Sequence, residues 1–191
     1  PSGTSSWTQV GADINGEAAQ DNSGYSISLS SDGSRVAIGA RGNDGNGASS
    51  GHVRIYQYNN NSWSQLGADI NGEATDDRSG YSVSLSSDGS IVAIGAYKND
   101  GTSGNSNDSR GHVRIYQYNN NSWSQLGADI DGEAVGDQSG WSVSLSSDGS
   151  RVAIGAHNND GNAYGSNSGH VRIYQYNNNS WSQLGADIDG E

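Results

Sequence analysis

Three histidines stand two residues ahead of an arginine on one strand face, at His52, His112 and His170. Acidic segments recur beside them: GADINGEAAQD from Gly11, GADINGEATDD from Gly67 and GADIDGEAVGD from Gly127. Each carries acids or amides two residues apart around a glycine: Asp13, Asn15, Glu17 and Asp21, then Asp69, Asn71, Glu73 and Asp77, then Asp129, Asp131, Glu133 and Asp137. Such spacing looks like part of a calcium loop, because calcium collects about six to eight oxygen ligands. Calcium is thus the one cofactor the sequence suggests, with Asp69, Asn71, Asp129 and Asp131 as its candidate ligands. The competing reading is a turn in which Asp and Asn cap backbone amides. Serines and aspartates near the histidines invite a hydrolase triad, but catalysis needs one asymmetric constellation of nucleophile, base and orienting group. A His, Arg and Tyr stripe repeated in every unit reads instead as packing and hydrogen bonding between units, so no catalytic residue and no enzyme are expected. The Gly-rich run at 42–47 precedes no helix and is not a phosphate loop.

Positions that differ between copies cluster in one loop of each unit. They include Arg41, Tyr97, Lys98, His157 and Tyr164, while Trp141 stands where the other copies have Tyr25 and Tyr81. Loops on a rigid scaffold tolerate change and often carry binding, so these five residues are the candidate ligand contacts. Asn60, Asn120 and Asn178 head N-N-S sequons in the polar turn before a tryptophan, and Asn107 heads N-D-S; they are candidate glycosylation positions in a secreted protein.

The chain of 191 residues has a formal net charge of −12 and no basic cluster, which argues against nucleic acid, whose binding needs Lys and Arg to neutralise phosphates. The acidity serves solubility or, alternatively, cation capture or life in salty water. With no Cys, disulfides and thiolate chemistry are excluded. No run approaches the length of about 18 apolar residues that spans a bilayer as a helix, so membrane insertion is not expected.

The elements that must position these residues follow from a repeat. The string GHVRIYQYNNNSWSQLGADI recurs unchanged at 51–70, 111–130 and 169–188. A long fixed period marks a repeat architecture. In the middle copy, Tyr81, Val83 and Leu85 alternate with serines, as residues on opposite faces of a strand do. Ser87-Asp88-Gly89 makes a tight turn, and 91–96 forms a second strand apolar on both faces. After a polar loop, 112–118 gives a third strand, Asn119–Ser122 a turn, and 123–130 a fourth. No helical period is present. Four short antiparallel strands per unit predict an all-β chain of β-propeller blades, about three in number; a β-solenoid is the alternative. The expected units are 5–62, 63–122 and 123–180, with a terminal strand over 181–191, all in one repeat domain.

The order SGYSVSLSSDGSIVAIGA, a variable ND-containing loop, GHVRIYQY and then NNNSW resembles FG-GAP repeats of the integrin-α-like propeller type. The resemblance implies an extracellular or cell-surface propeller. The family's calcium loop lies in the first hairpin, which here is only SSDGS at 30–34, 86–90 and 146–150, too poor in oxygens for those sites to carry over. On this basis the expected function is a non-catalytic scaffold for adhesion, a surface coat or filaments. The alternative is a multivalent carbohydrate-binding propeller using the variable loops. Expected partners are further blades or further copies of the chain, with a glycan or protein ligand.

Overall fold

The computed structural model describes residues 6–101, 108–161 and 167–190. Among them there is no α-helix; the elements are fifteen β-strands in three sheets. The first sheet contains β1 (Ser23–Leu29), β2 (Arg35–Ala40), β3 (His52–Asn59), β4 (Ser62–Gln65) and β5 (Ile70–Asn71). The second contains β6 (Ser82–Leu85), β7 (Ile91–Ala96), β8 (His112–Asn119), β9 (Ser122–Gln125) and β10 (Ile130–Asp131). The third contains β11 (Ser142–Leu145), β12 (Arg151–Ala156), β13 (His170–Asn177), β14 (Ser180–Gln183) and β15 (Ile188–Asp189). All pairings between these strands are antiparallel, in the meander order β1-β2-β3-β4, and β5 returns to pair the start of β3. These are the four-stranded blades of a β-propeller, the fourth strand being split in two, and β1, β6 and β11 are neighbours on the inner side.

Local chemistry explains each corner. Asn60 and Asn61 both take positive φ, 48° and 62°, giving the two-residue hairpin loop whose twist matches the flanking strands. In the SSDGS turns the aspartate is consumed internally. Asp32 accepts bonds from the Ser34 amide and from the Ser30 and Ser34 hydroxyls at 2.7–2.9 Å. These bonds hold its carboxyl down to about 2, the Ser34 amide contributing most.

Each blade has two apolar faces, and they mate in order. The rear of the first blade (Ala37, Val53, Ile55, Ile70) packs on the front of the second (Val83, Leu85, Val92, Ile94). The rear of the second blade (Ala93, Val113, Ile115, Ile130) packs on Val152 and Ile154 of the third. The split in the outer strand serves this contact. At Gly127, φ is +80°, and a Cβ there would lie 2.7 Å from the Trp181 ring of the next blade. The bare glycine lets the Trp181 indole N–H donate to the Leu126 carbonyl at 2.7 Å. Gly185 has the same backbone, φ +82°, but nothing lies within 4 Å of its missing Cβ. Gly185→Ala should therefore cost only the left-handed backbone, about 1–2 kcal/mol. Gly127→Ala should cost a further ~1–3 kcal/mol for the displaced indole, measured as the difference between their urea midpoints.

Candidate functional site: three Glu-His-Asp cages between blades

Each blade opens its third strand with a histidine that is almost wholly buried, and two carboxylates converge on it. His52 Nδ1 lies 3.9 Å from Glu17 Oε2 and 3.8 Å from Asp69 Oδ2. His112 stands 3.8 Å from Glu73 and 3.7 Å from Asp129, and His170 3.8 Å from Glu133 and 3.7 Å from Asp187. In each cage the three ligand atoms lie within 4.8 Å of one another. The separations are too long for hydrogen bonds. They suit atoms facing one common cation after a small inward turn of the half-exposed carboxylates.

The three contributors come from different places. The histidine begins β3, β8 or β13. The aspartate sits in the bend of the split outer strand of the same blade. The glutamate belongs to the linker that arrives from the preceding unit. Every carboxylate spends one oxygen on a positioning partner and presents the other to the histidine. Gln65, Gln125 and Gln183 each donate to the aspartate Oδ1 at 2.6 Å. Arg54, Arg114 and Arg172 place Nη1 3.4–3.5 Å from the glutamate Oε1. The same guanidinium donates through Nη2 to the carbonyl of Asn15, Asn71 or Asp131 at 2.7 Å. It also lies 5.5 Å from the ring centre of Tyr56, Tyr116 or Tyr174. Such outer bonds orient ligating groups.

Burial lowers the pKa of His52, and burial with the adjacent Arg114 pushes His112 down to about 4, outweighing the attraction of its carboxylates. Both shifts favour the neutral imidazole at His52 and His112, the form that ligates a metal. Nε2 of all three histidines is buried without a partner, which leaves Nδ1 as the nitrogen facing the carboxylates.

Asp69 and Asp129, singled out from the sequence, do enter cages. Asn71 and Asp131 do not, and serve through their backbone carbonyls. Asp69 and Glu73 of a single GADINGE segment go to different cages, Asp69 to His52 and Glu73 to His112, so the segment is not one calcium loop. Asp21, Asp77 and Asp137 pin the linkers, each accepting from a backbone amide at 2.8–3.1 Å and from Asn43, Asn99 or Asn159 at 3.1 Å. Arg41, Tyr97 and His157 lie just after the second strand of each blade and join one stacked arc. Arg41 lies 4.0 Å over Tyr25, Tyr97 sits 4.3 Å from Tyr81, and His157 sits 4.0 Å from Trp141. Lys98 is half-buried beside them. Asn60, Asn120 and Asn178 are exposed at hairpin tips. Tyr164 and Asn107 lie outside the described residues.

No family model and no curated protein matches the chain. Solved structures match as folds. A putative 6-phosphogluconolactonase from Bacteroides uniformis aligns at TM-score 0.55 and 14% identity, covering 85% of this chain and 40% of that one. Sqt1 from Saccharomyces cerevisiae aligns at 0.53 and 13%, covering 88% and 36%, and hydrazine synthase from Kuenenia stuttgartiensis at 0.52 and 10%, covering 93% and 41%. The chain thus spans about two-fifths of these proteins' length, and at such identity the likeness is one of fold. It corrects two expectations. The fold matched here is carried by proteins described as a lactonase and a synthase, so neither the assignment as a non-catalytic scaffold, with its lectin alternative, nor the exclusion of enzyme activity stands. The physical flaw was to treat a repeated histidine as packing alone; its Nδ1 faces a pair of oriented carboxylates.

Because the folded His112 pKa lies below the unfolded value of about 6.5, its contribution to stability is complete above about 6.5. It should be lost as pH falls from there toward about 4. Urea unfolding across this range should show that decline, and His112→Gln should flatten it.

Proposed function

We propose that the chain is part of a metal-dependent hydrolytic propeller that binds divalent transition-metal ions in its Glu-His-Asp cages and acts on small esters or lactones. The observation that carries this reading is the convergence of a buried Nδ1 with two oriented carboxylate oxygens. A nitrogen ligand with two carboxylates suits Zn²⁺ or Mn²⁺ better than calcium, which prefers an all-oxygen shell. Three protein ligands leave a coordination position open, as catalytic rather than structural zinc sites do. Glu73, His112 and Asp129 would hold the ion in the middle cage. There it would supply Lewis-acid polarisation of a carbonyl and a more acidic water.

The chain's own residues define the rest. Gln125 and Arg114 fix the two carboxylates, and the buried imidazole closes the floor of the cage. The carboxylate side stays open to solvent for a substrate. Lactones are the first substrates to try, on the strength of the fold shared with a putative 6-phosphogluconolactonase. Reading the repeats as FG-GAP units, exported from the cytoplasm, belongs to the same proposal. It is supported by the motif order and by the exposed sequon turns.

Calorimetric titration with Zn²⁺, Mn²⁺ and Ca²⁺ separates the parts of this reading. Zn²⁺ or Mn²⁺ should bind at up to three sites per chain and raise the melting temperature by mass action. His112→Gln should remove one site. Calcium binding alone, or no binding, overturns the choice of metal. Stoichiometric binding with no metal-dependent hydrolysis of gluconolactone or simple aryl esters overturns the hydrolase.

A further inference from the structure

The two blade junctions share a key and a slot, and the chain carries one more of each without a mate. In the first junction the key is Ser79-Gly80-Tyr81. Ser79 bridges Gly51 in parallel and donates its amide to the Ser50 carbonyl at 3.0 Å. The Gly80 carbonyl accepts from the Ser26 hydroxyl at 2.8 Å. A Cβ on Gly80 would lie 2.5 Å from the His52 carbonyl oxygen, so only glycine passes. In the second junction Ser139-Gly140-Trp141 repeats each feature. Ser139 bridges Gly111 and donates to Arg110, the Gly140 carbonyl accepts from Ser82 at 2.7 Å, and a Cβ on Gly140 would meet the His112 carbonyl oxygen at 2.5 Å.

The unmated key is Ser23-Gly24-Tyr25. Its backbone already has the docked shape. Asn22 and Gly24 take φ of 57° and 86°, against 60° and 79° at Arg78 and Gly80 and 57° and 84° at Gln138 and Gly140. The Tyr25 amide donates to the Asn22 carbonyl at 3.0 Å, as Tyr81 does to Arg78 at 3.1 Å. Yet nothing lies within 4 Å of a Cβ built on Gly24. The unmated slot is a cavity of about 430 Å³ on the third blade, lined by Ser142, Gly155, Ala156, Gly169, His170 and Val171 among others. Of these, Ser142, Gly155, Gly169, His170 and Val171 are the counterparts of residues that meet the two docked keys.

The apolar surfaces beside key and slot are unmated too. Ile27 and Leu29 are 66% and 58% exposed, whereas Val83 and Leu85, in the same places on the second blade, are 8% and 7% exposed. On the third blade Val171 and Ile188 are exposed, whereas their counterparts Val53 and Ile70 are buried.

We propose that the slot on the third blade receives Ser23-Gly24-Tyr25 of a second copy, joining chains head to tail through the same contact that joins their blades. A reciprocal pair of such contacts makes a ring of six blades, within the range of about four to eight that propellers adopt. The segment Val10–Asn15 now covers part of the first blade, its Val10 and Asn15 carbonyls accepting from Trp63 and Arg54. Leu184–Asp189 of the arriving copy would claim those donors. Val10–Asn15 pairs with no strand, whereas β14 and β15 are registered on β13, so the leading segment is the one that yields.

Sedimentation velocity across a concentration series tests this with two variants and their mixture. Wild type should pass from one chain to two. Ile27→Asp disables the key side and Val171→Asp the slot side; both alter exposed residues, so circular dichroism should show the fold unchanged. Each alone should associate at least ~10-fold more weakly, because docking would bury an unpaired carboxylate. An equimolar mixture should associate more tightly than either variant alone but less tightly than wild type, since one of its two contacts pairs an intact slot with an intact key while the other is altered on both sides. A wild type that stays a single chain throughout, variants that associate like wild type, or a mixture that associates no more tightly than the variants alone overturns the proposal. The middle cage of Glu73, His112 and Asp129 lies away from both docking faces, so its metal binding is judged separately from these outcomes.

Discussion

A buried guanidinium holds this structure in register. Arg54, Arg114 and Arg172 are nearly inaccessible to solvent, and each reaches from the third strand of its blade to the carbonyl just ahead of the linker: Asn15, or the last residue of the preceding blade's outer strand, Asn71 or Asp131. A buried charge is tolerable only when paired and hydrogen-bonded, so the arginine cannot relax without finding that carbonyl and that glutamate. Its demands set the path of the linker, and the path of the linker sets where the glutamate ends. The indole donors of Trp63, Trp123 and Trp181 make a second tie of the same kind, to Val10, Leu66 and Leu126. Together they turn a run of separate sheets into a sequence of junctions, and the cages are a product of the junctions rather than of the blades.

That distinction explains what could be read from the chain. The blade was legible because its cause is local. Alternation in 81–85, an Asp-Gly turn and an Asn-Asn hairpin each specify their own geometry, and threefold repetition confirms the reading. The split of the outer strand was not legible. Trp123 to Ile130 alternates well enough to pass as one strand, and only the close approach of Trp181 from the next blade gives Gly127 its role. The arc of Arg41, Tyr97 and His157 was legible as variation but not as stacking. A sequence shows that three positions differ, not that all three lie against the ring at the start of the first strand.

The cage was the least legible feature, for a geometric reason. Asp69 and Glu73 are four residues apart and read as one cluster of oxygens. The bend at Gly67 turns the aspartate back onto its own blade, while Arg114 draws the glutamate forward onto the next. A cluster in sequence is thereby divided in space, and each half meets a histidine that lies far away in the chain. The usable signal was the unvarying coincidence of GHVR with GADxxGE. Neither motif is needed by a hairpin alone, which implied that the two answer to one another across a junction.

Repetition was also the argument against chemistry, and it fails on the same ground. It supposed that identical side chains in every unit must be structural. A site assembled from two units inherits the repeat of its junction whatever its purpose, so symmetry is neutral between packing and function. The electrostatics are not neutral. A purely structural histidine between two carboxylates would be expected to take a proton and bond to them at about 2.7–2.9 Å. Here burial and the neighbouring arginine hold His112 neutral, its Nδ1 stays 3.7–3.8 Å from both carboxylates, and each carboxylate has one oxygen committed elsewhere. In the middle cage Arg114 offsets one of the two negative charges, and the neutral His112 offsets none. The charge left over there is negative, half open to solvent and faced by the His112 imidazole, so the residues grouped in the cage are ones that could hold a divalent cation.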